Sequence, residues 1–89
     1  MLSITDLRDF IDLDHETVQA VHRATGLSDP ESITLARQLL ASERGIHMLH
    51  HMFRDQITDA SATSDLSREQ ELRRAYSYFV RKYPMPHML

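Results

Sequence analysis

Ile46, Leu49, Phe53, Ile57 and Ala60 recur every three or four residues, and this one stripe excludes most of what the chain could fold into. At about 100° per residue all five fall on one side of a helix, whereas a strand would scatter them over both faces. The same period returns near the C-terminus, where Leu72, Tyr76, Phe79 and Tyr83 align with Ala75 and Val80 beside them. Only two glycines punctuate the 89 residues, too few for the turns an all-β chain needs. The expected fold class is all-α, a compact four- to five-helix antiparallel bundle, because short connections force successive helices to reverse.

Start and stop signals divide the chain. Ser3 with Asp6 opens a short first helix over Leu2–Ile11, whose apolar side is Leu7, Phe10 and Ile11. Asp14 caps a second, with Glu16 in its first turn and Leu13 and Val18 as a staple. This helix is expected to bury Val18, Val21 and Ala24 or Thr25 before Gly26 ends it and Leu27 folds back. Ser28 with Glu31 forms a capping box for a third, or Asp29 caps it with Pro30 in the first position. Ile33, Leu35, Ala36, Leu39 and Leu40 are its apolar residues. A break follows between Ala41 and Gly45, where either Ser42 caps the next helix or Gly45 ends the previous one. The stripe helix then runs to about Ala60, residues 61 to 65 form a polar loop, and the last helix spans Asp65 or Ser67 to Lys82. Residues 1–83 form one domain, and 84–89, opened by Pro84, form a loose tail.

Size and charge narrow the function. A chain this short folds by burying roughly 60–65% of its unfolded surface, a thin margin for enclosing a reactive pocket. It has no cysteine, so packing alone holds it and thiolate chemistry is excluded. No apolar run reaches the ~18 residues of a membrane span, and Met1–Asp6 lacks the pattern of a secretory signal. A cytoplasmic location and no membrane partner are therefore expected. The net charge of −3 is unevenly spread: residues 1–32 set seven acids against two arginines, and residues 67–89 set five cations against two glutamates. Solvated helix faces account for most of this, with the acidic and basic ends meeting within one copy or between two as the sharper reading.

The stripe helix also carries the one concentration of reactive side chains. His47, His51 and Asp55 form a ridge at i, i+4 and i+8 on the flank away from the apolar stripe. Imidazoles one turn apart can converge on a single zinc, nickel or copper ion, and Asp55 can add an oxygen. His50 lies at the stripe's edge, where a half-buried ring with a backbone or carboxylate partner is expected. To complete a metal site it would have to join His47 and His51; His15, His22, His87 or another copy are the other sources. Met48, Met52, Met85 and Met88 would supply soft ligands for copper. The plainer account leaves these histidines solvated or at an interface.

Other motifs fail on their chemistry. Asp12, Asp14 and Glu16 open like a calcium loop, but Thr17 stands where the turn needs glycine and Arg23 where it needs glutamate. A helix-turn-helix centred on Gly26 would lead its reading helix with Asp29 and Glu31, which repel phosphate. Nucleic acid is not an expected partner, although Arg73, Arg74 and Arg81 make the last helix the better surface for one. There is no nucleophile elbow, phosphate loop or dinucleotide fingerprint.

The opening Leu7-Arg8-Asp9-Phe10-Ile11-Asp12-Leu13, the break around Gly45 and the closing Phe79-Val80 and Tyr83-Pro84 resemble small bacterial all-α proteins of unassigned function. That resemblance implies a helical fold and brings no activity or site. The expected function is a non-enzymatic helical interaction or regulatory module, self-associating as a homo-oligomer. Met48, Arg73, Arg74, Tyr78 and Arg81 are its contact residues. The alternative is metal binding through His47 and His51.

Overall fold

Four helices make up most of residues 13–86, the part of the chain that the computed structural model describes. They are α1 His15–Thr25, α2 Asp29–Leu40, α3 Glu43–Ala62 and α4 Leu66–Lys82. No strand occurs among the described residues. The opening helix expected over Leu2–Ile11 lies outside them, as do His87, Met88 and Leu89.

The helix ends are where local chemistry is most legible. Ser28 caps α2 with a full capping box: its hydroxyl accepts from the Glu31 N–H, and the Glu31 carboxylate takes up the Ser28 N–H. Pro30 follows inside the first turn, where no N–H is needed. Ser42 caps α3 by accepting from the Gly45 N–H at 3.0 Å, which settles the break in favour of a serine cap. Gly45 is therefore in the first turn of α3 and not at the end of α2. Gly26 ends α1 in the left-handed conformation at φ 74°, its N–H bonded to the His22 carbonyl. Asp14 has the position of an N-cap but makes no side-chain cap bond; its carboxylate instead reaches Lys82 at 3.0 Å. Asp14 at the start of α1 and Lys82 at the end of α4 thus pair within one copy.

One boundary differs from that expected. α3 continues through Ser61 and Ala62, so the turn is shorter than the polar stretch implies. The turn closes by a bond from the Asp65 N–H to the Ala60 carbonyl and another from the Ser64 N–H to the Ser61 carbonyl. This six-to-one and five-to-two pattern puts Ser64 at φ 59°, the position usually given to glycine. Replacing it removes the strain of a side chain in the left-handed region. Ser64→Gly should raise stability by about 1 kcal/mol, seen in thermal unfolding as a rise of roughly 4–8 °C.

Packing follows the stripes. Leu49, Phe53, Ile57 and Ala60 of α3 are buried and Ile46 is half-buried; Leu72 and Phe79 of α4 are buried, with Tyr76 and Tyr83 packed against them. The contacts run in opposite senses, His50 to Tyr83, Phe53 to Phe79 and Ile57 to Leu72, so α3 and α4 form an antiparallel hairpin. On α1 the buried set is Thr17, Val18, Ala20 and Val21. Ala24 and Thr25 are exposed, against expectation, because the last turn projects into the corner where Gly26 reverses the chain. Thr25 uses its hydroxyl there to hold the Val21 carbonyl at 2.7 Å. α2 contributes Ala36, Leu39 and the buried Ser32, whose hydroxyl donates to the Leu27 carbonyl.

Candidate functional site

The histidine helix divides its three rings between two environments. His50 is fully buried, which corrects its expected place at a half-exposed edge. Its ring meets Phe79 and Tyr76 edge to face, at 4.9 and 5.4 Å between centroids. Nε2 lies 2.7 Å from the Tyr83 carbonyl and Nδ1 2.8 Å from the Tyr76 hydroxyl. A carbonyl only accepts, so Nε2 carries the proton and Nδ1 of the neutral ring accepts from Tyr76. Burial pushes the imidazole below its ordinary pKa of 6.5; the Tyr83 carbonyl opposes this, while the positive charges of His47, Arg54 and His51 add to it. His50 is a neutral strut that fastens α3 to the C-terminal end of α4. Both of its nitrogens are occupied inside the bundle, so it stands apart from the other two rings.

His47 and His51 point outward. Their centroids are 4.5 Å apart at 63° between planes, with His47 half-buried and His51 exposed. Asp55 is exposed one turn further along, and Met48 beside the pair is 46% exposed. Among the described residues no group of three or more His, Cys, Asp or Glu is placed to hold a metal ion. The helix therefore brings two imidazoles together, with no third such group beside them among the described residues. His15 and His22 do not join them, since His15 lines a groove on α1 and His22 bonds the Leu27 carbonyl at 2.5 Å.

That groove, of about 360 Å³, runs along the seam of α1 and α4. Ala20 and Ala75 leave room there, and Glu16, Arg23, Glu71 and Arg74 give it a balanced charge. Gln56 of α3 closes one wall by donating to the Ala20 carbonyl at 2.8 Å, while its Oε1 is buried without a partner among the described residues. Tyr78 at the rim is 60% exposed and also forms, with Arg74, Ser77 and Arg81, a shallow depression on α4. Three of the five expected contact residues thus share one surface of α4. Arg73 is turned to a surface pair with Glu69 at 2.8 Å, and Met48 is on α3. Neither the groove nor the role of Gln56 had a signal in the sequence.

The chain matches no known family model, no curated protein and no solved structure. The fold stands as that of a small all-α protein, with no described helix long and apolar enough to cross a membrane.

Proposed function

We propose that this protein is a small, non-enzymatic helical interaction module that self-associates, a cytoplasmic regulatory or accessory protein. The observation that carries the reading is the exposed Tyr78 between Arg74 and Arg81, on a helix whose opposite side packs into the core through Leu72 and Phe79. Tyrosine and arginine give large, oriented contact area at low ordering cost and dominate the centres of protein interfaces. Light scattering behind size exclusion tests it. The wild type is expected to run above monomer mass at tens of micromolar, and Tyr78→Ser with Arg74→Glu to shift it to monomer with unchanged helicity. A strict monomer at every concentration and salt level would refute self-association.

A second reading has its own observation. The ring contact of His47 and His51 puts two imidazoles one turn apart on an outward ridge, a spacing at which a zinc, nickel or copper ion can take both.

A further inference from the structure

We propose that the His47–His51 edge is half of a metal site and that a second copy of this chain supplies the other half. The inference rests on the reading that this pair takes a metal. Zinc takes four ligands in a tetrahedron when it is structural, and four imidazoles would satisfy it. One copy presents two, and among its described residues no third His, Cys, Asp or Glu joins them.

The ridge itself indicates how the halves meet. On a helix turning about 100° per residue, Arg44, His47, His51 and Asp55 fall within one arc, on the side of α3 opposite Leu49, Phe53 and Ile57. Arg44, His51 and Asp55 are exposed. When two such ridges cross antiparallel about a two-fold axis between His47 and His51, His47 of each copy faces His51 of the other. The same register sets Arg44 opposite Asp55, twice by symmetry, so the charges flanking the imidazoles are complementary. A parallel arrangement would instead place Arg44 against Arg44 and Asp55 against Asp55. Met48, on the flank of the seam, gives the contact an apolar margin.

The test uses the full chain purified without a histidine tag and stripped with chelator, then titrated with Zn²⁺ while mass and bound metal are read together. The expected result is a twofold rise in mass over the metal-free species with about one Zn²⁺ per two chains. Chelator should reverse it and the His47→Ala, His51→Ala double variant should abolish it. Arg44→Asp or Asp55→Arg alone should weaken the zinc-driven step several-fold, and the two together should restore it. Zinc taken up one per chain with no change of mass would overturn the sharing while leaving metal binding intact. No uptake would remove both, and a mass that rises equally in the double-histidine variant would assign the association to another face.

Discussion

Gly45→Ala is expected to destabilise the protein by at least about 3 kcal/mol, the opposite of what helix propensity predicts for glycine to alanine inside a helix. A Cβ at Gly45 would lie 2.0 Å from the Leu39 carbonyl oxygen and 2.5 Å from the Leu39 Cα and carbonyl carbon. These are backbone atoms in the last turn of α2, so no side chain can swing aside to admit the methyl group. Relief requires α2 and α3 to part, and that opens the contact between Leu39 and the core. A domain of this length has roughly 5–10 kcal/mol of total stability, so the loss removes a large share of it. Thermal unfolding followed by circular dichroism should show a drop of roughly 12–24 °C. Gly26→Ala is the control. Nothing lies within 4 Å of its Cβ, so its cost is the left-handed backbone alone, about 1 kcal/mol. Equal losses at the two glycines would show that conformation, and not the close approach of two backbones, governs Gly45.

The contrast between these glycines marks how far the residues could be read in advance. Gly26 follows an apolar period and precedes a capping box, so its role is local and visible. Gly45 needs the approach of a second helix, which no neighbour in sequence announces. The same division runs through the molecule. Ser28 with Glu31, the α3 stripe and the pairing of His47 with His51 depend on residues within one or two turns, and all three are seen in the structure. Thr17, Ser32 and Gln56 look like surface residues in any hydropathy pattern. Thr17 and Ser32 are nonetheless buried and Gln56 half-buried, and the last two are held by the Leu27 and Ala20 carbonyls. The groove along α1 and α4 likewise depends on two alanines 55 positions apart lining one cavity.

His50 is the case in which a non-local partnership changes the chemistry. Its hydrogen bonds reach 26 and 33 residues along the chain, and they make a ring read as peripheral into the one fully buried histidine described. Removing it leaves a cavity, an orphaned Tyr83 carbonyl at the end of α4 and a Tyr76 hydroxyl without its acceptor. His50→Ala should therefore cost about 3 kcal/mol, and Tyr76→Phe, which loses a single bond, about 1 kcal/mol. The double variant should fall short of the sum, since both changes break the same bond. Acid should act on the same strut. The native pKa lies below the unfolded value of 6.5, so above that pH both states are neutral and this group adds no pH dependence. As pH falls beneath 6.5 the unfolded chain takes up a proton that the native ring resists. Stability is then lost, at up to about 1.4 kcal/mol per pH unit, until the native pKa is reached. From α3 the charges of His47, Arg54 and His51 oppose protonation, and α4 offers only the Tyr76 hydroxyl, the Phe79 ring and the Tyr83 carbonyl. Urea unfolding of chelator-treated protein between pH 7.5 and 5 reads the slope. His50→Leu should flatten it while lowering stability at every pH; a slope unchanged by that substitution would mean that His50 titrates alike in both states and is no buried strut.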